Sequence, residues 1–203
     1  MKKKIVSFLV SGNGSNFKAV AEKILKGHIS AEPGIVISSS AEAFALERAK
    51  KLGIKSIAIE PKGFASKDDY EAEMIKCLNL CKTDLVVAAG YMRILSPRFI
   101  QNFKNRIINI HPSLLPAFPG KSAQQQALDY GVKITGCTTH FIDEGVDTGS
   151  IIMQSYVAID PNDNINTLSA KIIKEEHKIL IKSVKLFCEE KLIIESRKVF
   201  EKK

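Results

Sequence analysis

An amide and an imidazole stand two residues apart in the run Asn109-Ile110-His111-Pro112-Ser113-Leu114-Leu115-Pro116. The approach to it, Arg106-Ile107-Ile108-Asn109-Ile110, is apolar and rich in isoleucine, as a buried strand requires. Side chains at i and i+2 of a strand share one face, so Asn109 and His111 project together from the strand's end. An amide N–H can meet a developing oxyanion, and an imidazole can carry a proton. Acyl-group transfer needs both. A turn-capping Asn and a hydrogen-bonded core histidine would fit the same two residues, so their neighbours decide.

A carboxylate for the histidine is available in Asp143-Glu144-Gly145-Val146-Asp147-Thr148-Gly149. Gly145 and Gly149 frame Asp147 on a tight loop, expected at a sheet edge. A carboxylate beside an imidazole favours the charged, proton-donating form. His140 is expected either in the same pocket or as a hydrogen-bonded core residue. A second feature is the turn Ser11-Gly12-Asn13-Gly14-Ser15-Asn16. Glycines let a backbone approach a ligand closely, and a following helix offers free N–H groups to an anion. Ser15 or Asn16 can also cap that helix. A dinucleotide fingerprint would need glycine at position 17, where Phe17 stands, and no Gly-Lys-Ser/Thr ending marks a triphosphate loop. A phosphomonoester fits best.

These loops need a frame. Strand-length apolar runs at 4–10, 34–39, 56–59, 84–89, 106–110, 135–142 and 151–158 alternate with helical patterns at 16–26, 41–52, 67–81, 97–103, 122–130 and 167–186. The first five strands read as parallel strands buried on both faces. No helix separates the last two, so they should add to the sheet in antiparallel fashion. The expectation is an α/β, doubly wound, mostly parallel sheet of about seven strands with an antiparallel addition near the C-terminus. No repeat, linker or low-complexity stretch interrupts it, so residues 1–203 read as a single domain.

Composition narrows the function class. The 203 residues carry 30 basic and 22 acidic side chains, a formal charge of +8. The chain has no Trp and no basic stripe interleaved with aromatics, which argues against nucleic acid as partner and for small anionic ligands. No apolar run reaches membrane-spanning length, and the apolar start meets Ser11-Gly12 rather than a cleavage site. Cys77, Cys81, Cys137 and Cys188 lack metal-ligand spacing, so no metal is expected. They read as buried thiols in a reducing cytoplasm.

Three blocks, 11–16, 109–120 and 136–154, together with Ala89-Gly90-Tyr91-Met92-Arg93-Ile94-Leu95-Ser96-Pro97, resemble the folate-dependent glycinamide ribonucleotide formyltransferases essentially end to end. The resemblance implies a Rossmann-like core. It implies transfer of the formyl group of 10-formyltetrahydrofolate to the amine of 5-phosphoribosylglycinamide, in purine (IMP) biosynthesis. Asn109, His111 and Asp147 match the catalytic trio. Asn13, Gly14, Ser15 and Asn16 match the phosphate turn, and Glu176 matches a carboxylate that holds the glycinamide substrate. Lys67, Met92, Arg93, Ile94 and Leu95, with Asn109, match the folate-binding residues. These two small molecules are the implied substrates, with no metal; a monomer or homodimer in the cytoplasm is expected. Two departures stand out. Lys67 replaces an arginine and so loses a bidentate fork, and Lys121-Ser122-Ala123-Gln124-Gln125 lacks the family's usual histidines. The competing readings are a formyltetrahydrofolate deformylase, which usually carries an extra N-terminal domain, and a non-catalytic folate or nucleotide-binding module. A methionyl-tRNA formyltransferase would normally add a C-terminal RNA-binding domain.

Overall fold

The computed structural model describes residues 2–202. The fold is mixed α/β with a nine-stranded sheet, mostly parallel, whose antiparallel strands come late in the chain. By internal packing the residues form two compact units, divided after Ile108.

The first unit contains β1 (Lys4–Val10), α1 (Ser15–Leu25), β2 (Ala31–Ser38), α2 (Phe44–Lys51), β3 (Lys55–Ala58), α3 (Lys67–Leu80), β4 (Leu85–Ala88) and α4 (Pro97–Asn102). Its strands run β3-β2-β1-β4, all parallel. β1 and β4 are continuous apolar runs because both their faces are covered; Val6, Phe8, Leu9, Leu85, Val86 and Val87 are fully buried. Phe17 of α1 meets Phe8 edge-on, with ring centroids 4.9 Å apart. β3 departs from the expectation of a strand buried on both faces. Lys55, Ser56 and Ile57 are exposed, because β3 ends the strand order and pairs only with β2.

The second unit begins inside β5 (Ile107–His111) and continues through α5 (Ala123–Tyr130), β6 (Ile134–Phe141), β7 (Ile151–Ala158), α6 (Ile165–Cys188), β8 (Leu192–Glu195) and β9 (Lys198–Glu201). β6 and β7 are antiparallel, as expected, with a register shift between Thr139 and His140. α6 packs on both strands through Leu168, Ile172, Glu176, Ile179, Leu180 and Ser183, a buried stripe at helical spacing. Asn164 and Thr167 close a reciprocal capping box at its start.

The described residues form nine strands where about seven were expected, the additional pair being β8 and β9. They form an antiparallel hairpin, and β9 adds to β7 in parallel. The loop carrying Asp147 therefore does not lie at the sheet edge, since β9 and β8 follow β7. The hairpin's turn reaches that loop: Arg197 Nη2 donates to the Thr148 carbonyl at 3.1 Å, and Ser150 Oγ donates to the Ser196 carbonyl at 3.3 Å. Cys137 and Cys188 are buried, but Cys77 and Cys81 are only half-buried, because i,i+4 spacing on α3 puts them at the margin of its packed face. No helix among the described residues is long and apolar enough to cross a membrane.

Candidate active site

β5 delivers its last side chains to the second unit's polar centre. Isoleucines bury the strand, and Pro112, which lacks an N–H, ends it. Asn109 and His111 then converge on Asp147. His111 Nδ1 lies 3.2 Å from Asp147 Oδ2, and Asn109 Nδ2 donates to Asp147 Oδ1 at 3.5 Å. The expected trio is thus brought together around one carboxylate.

Two further groups complete it. The backbone N–H of Gly120 donates to Asp147 Oδ2 at 2.8 Å. His140, fully buried on β6, places Nε2 3.1 Å from Asn109 Nδ2 and 3.6 Å from Asp147 Oδ1. His140 Nδ1 faces the Phe141 carbonyl at 2.9 Å and so carries a proton. Nε2 then accepts from Asn109 when the ring is neutral and donates to Asp147 when it is protonated. His140 belongs to the pocket, which the sequence left open. Asp147 adopts φ of +55°, a left-handed conformation uncommon outside glycine. The loop is tight there. A Cβ at Gly145 would collide with Thr148 Oγ1, and one at Gly149 with the Phe141 carbonyl.

Burial alone would push the Asp147 carboxyl up. The His140 hydrogen bond, the Gly120 N–H and the charges of His111 and His140 outweigh it, holding Asp147 below its ordinary 3.8. His111 Nε2 lies 2.8 Å from the Phe118 carbonyl, so a doubly protonated ring donates on both sides. The segment bearing Phe118 is pinned from beneath. Thr138 Oγ1 donates to the Ser113 carbonyl at 2.7 Å and accepts the Leu115 N–H at 3.1 Å, and Gln154 Nε2 donates to the Leu115 carbonyl at 2.9 Å.

Glu176 lies buried on α6. Burial, then the Glu176 and Glu175 carboxylates, push the Cys137 thiol up to about 12. That thiol stays protonated and is no nucleophile.

In the first unit, Asn13 and Gly14 end the β1–α1 turn, and Ser15 and Asn16 open α1. Gly14, at φ +71°, is the N-cap, and no side chain caps the helix. The expected capping by Ser15 or Asn16 is thereby corrected, since both fall inside α1. Lys67 opens α3, its Nζ 3.8 Å from the buried Glu71 carboxylate. Met92 and Ile94 are strongly exposed, at 76% and 64%, while Leu95 is buried. Two exposed apolar side chains flanking Arg93 make a surface against which a flat ring can lie. α3 holds this segment from below. The Tyr70 and Tyr91 hydroxyls are 2.8 Å apart, the Arg93 guanidinium sits 5.7 Å over the Tyr70 ring, and Glu71 accepts from Ser96 Oγ and, at 3.0 Å, from Ser96 N–H. Ser11 joins the segment to the turn, donating its N–H to the Gly90 carbonyl at 3.2 Å and accepting the Met92 N–H at 3.0 Å. Among the described residues, no group of three or more His, Cys, Asp or Glu side chains is placed to hold a metal ion.

A strand-end Asn and His sharing a carboxylate, on a mixed α/β frame, define a class, and the comparisons agree with it. Residues 3–184 match the family model described as Formyl transferase. The chain belongs to the formyl transferase family of enzymes. It is 43% identical to the phosphoribosylglycinamide formyltransferase of Bacillus subtilis, over 83% of this chain and 86% of that one. It superposes with TM-score 0.97 and 41% identity on glycinamide ribonucleotide transformylase 1 from Symbiobacterium toebii, over 99% of this chain and 95% of that one. It is also 45% identical to the trifunctional purine biosynthetic protein adenosine-3 of Drosophila melanogaster, over 87% of this chain, and spans only 13% of that protein's length.

Proposed function

We propose that this chain moves the formyl group of 10-formyltetrahydrofolate to the amine of 5-phosphoribosylglycinamide, in purine (IMP) biosynthesis, with residues 1–203 acting as one formyltransferase domain. The observation that carries the reading is the convergence of Asn109 and His111 on the Asp147 carboxylate. The acceptor nitrogen attacks the formyl carbon, and the carbonyl oxygen takes up negative charge. Asn109 meets that charge with the Nδ2 hydrogen now making the long 3.5 Å contact to Asp147, while His140 fixes the amide's orientation. Losing one such donor typically costs about 10²–10³-fold in rate. Asp147 anchors His111 through Nδ1. Nε2 therefore exchanges the Phe118 carbonyl for the reacting groups, gives its proton to the departing folate nitrogen, and recovers one from the acceptor amine, directly or through water.

The turn Asn13, Gly14, Ser15 and Asn16 takes the acceptor's phosphate, and buried Glu176 helps hold the glycinamide. Met92, Arg93, Ile94 and Leu95, with Asn109, receive the folate ring, and Lys67 takes a carboxylate of its tail. The exposure of Met92 and Ile94 supports that placement. Lys67 offers a point charge where a fork would be stronger, and nearby Glu71 competes for it. The reaction needs no metal. The partners are these small molecules rather than nucleic acid, and the chain works as a monomer or homodimer. Four free cysteines suit a reducing cytoplasm.

The test is release of tetrahydrofolate from 10-formyltetrahydrofolate, with and without 5-phosphoribosylglycinamide. Release only with the glycinamide is expected. Release without it would make water the acceptor and the chain a deformylase. Silence in both would leave a binding module.

A further inference from the structure

α2 braces the turn between β1 and α1 at three points. The Ala45 N–H, in the first turn of α2, donates to the Gly12 carbonyl at 3.1 Å. Arg48 Nε donates to the Asn13 carbonyl at 2.8 Å, and Arg48 Nη2 donates to Asn13 Oδ1 at 2.7 Å. One guanidinium thus grips the main chain and the side chain of the same residue. The Phe44 ring, 4.8 Å from the guanidinium carbon, holds that group in place. The fit leaves no slack, since a Cβ added at Gly14 would lie 2.5 Å from the Ala45 Cβ.

A consequence follows from peptide geometry. In a trans peptide the C=O and the N–H point in opposite directions. With the Gly12 and Asn13 carbonyls turned onto α2, the N–H groups of Asn13 and Gly14 turn away from it. Two consecutive amides facing one way make a concave anion cradle, and the carbonyl dipoles that would repel an anion are held behind it. Asn13 is exposed and glycines flank it, so the bonds from Ala45 and Arg48 are what hold these two peptides in place.

We propose that Arg48 is a positioning residue for phosphate: it does not touch the phosphate but sets the Asn13–Gly14 peptide, beside the Gly12–Asn13 peptide that Ala45 holds, so that both N–H groups face it. This rests on the phosphate reading of the turn given above. Charge alone does not account for it, because the guanidinium's two observed bonds are spent on Asn13, and Lys at this place would keep the charge while losing the fork.

Arg48→Ala and Arg48→Lys test it, with inorganic phosphate as the probe. Binding is followed by the amide resonances of Asn13 and Gly14, which needs no turnover, and in parallel by phosphate inhibition of formyl transfer. Both variants should bind phosphate about tenfold more weakly, as expected for losing hydrogen bonds from a charged donor. Both should raise KM for 5-phosphoribosylglycinamide with KM for 10-formyltetrahydrofolate unchanged. Wild-type phosphate binding in Arg48→Lys would mean that charge, not position, matters, and would overturn the proposal. Unchanged binding in Arg48→Ala would overturn it as well. If phosphate leaves the Asn13 and Gly14 amides of the unmutated chain unmoved, the phosphate reading of the turn falls, and this role with it. A turn that binds phosphate in a chain without formyl transfer would sink the reaction alone and leave Arg48 its role.

Discussion

His111 Nδ1 and Asp147 Oδ2 stand 3.2 Å apart, with side chains only 5% and 13% exposed. Water screens such a pair poorly, so the ring is oriented by the carboxylate rather than merely near it. Replacing His111 by Asn should keep the fold and lower kcat at least ~10²-fold, because the proton carrier is lost while the oxyanion donor on Asn109 stays. Steady-state turnover beside a thermal melt checks this. Near-normal turnover would remove His111 from the chemistry.

The same carboxylate gives stability an acid limb. Asp147 is held below its ordinary value of 3.8 in the folded chain, so the native state binds its proton less readily than the unfolded state does. The stabilisation is complete above the ordinary carboxylate range and fades as pH falls through the lower folded value. Unfolding free energies of the unmutated chain and of Asp147→Asn should therefore differ near neutrality and converge in strong acid. A difference that stays constant down to about pH 2 would show that this carboxyl is not depressed by folding.

Gly14 sits at φ +71° with the Ala45 Cβ close behind it. Gly14→Ala combines a strained backbone with a steric clash, and about 1–3 kcal/mol of destabilisation is expected from the overpacking alone. Urea unfolding measures it. A variant as stable as its parent would show that α2 can retreat from the turn.

Ser96 is the N-cap of α4, its Oγ accepting the Phe99 N–H at 3.2 Å, and it also gives the buried Glu71 carboxylate a hydroxyl partner. Ser96→Ala removes the cap and strips one donor from a buried charge, at a cost of about 2 kcal/mol. The 92–95 segment should loosen with it, raising KM for the formyl donor. An unchanged donor KM would separate the segment's shape from its anchor.

How much of this could be read in advance depended on the range of the interaction. β1 and β7 fall at 4–10 and 151–158 as expected, since strand-length stretches rich in apolar residues and bounded by turn residues are local signals. The trio was legible because Asn109 and His111 share a strand and Asp147 lies between two glycines. The β8–β9 hairpin was not. Its turn passes through Ser196 at φ +56° and Arg197, without the Asn-Gly or Asp-Gly pair that marks such turns. Arg48 was hidden for another reason. It lies 35 residues from Asn13 on a charged helix, and nothing in its neighbourhood separates it from the lysines beside it. His140 could be placed only once the register shift after Thr139 was seen.

The C-terminal hairpin also bears on where this enzyme can be cut. The match to the family ends at residue 184, within α6 and ahead of β8 and β9. A fragment trimmed to that limit would lose the last turn of α6 and leave the outer edge of β7 bare, a template for pairing with a second molecule. It would also lose the Arg197 donor to Thr148, the residue next to Asp147. The stretch that the family model matches is therefore shorter than the packed second unit, and a domain transplanted into a fusion should carry its tail with it.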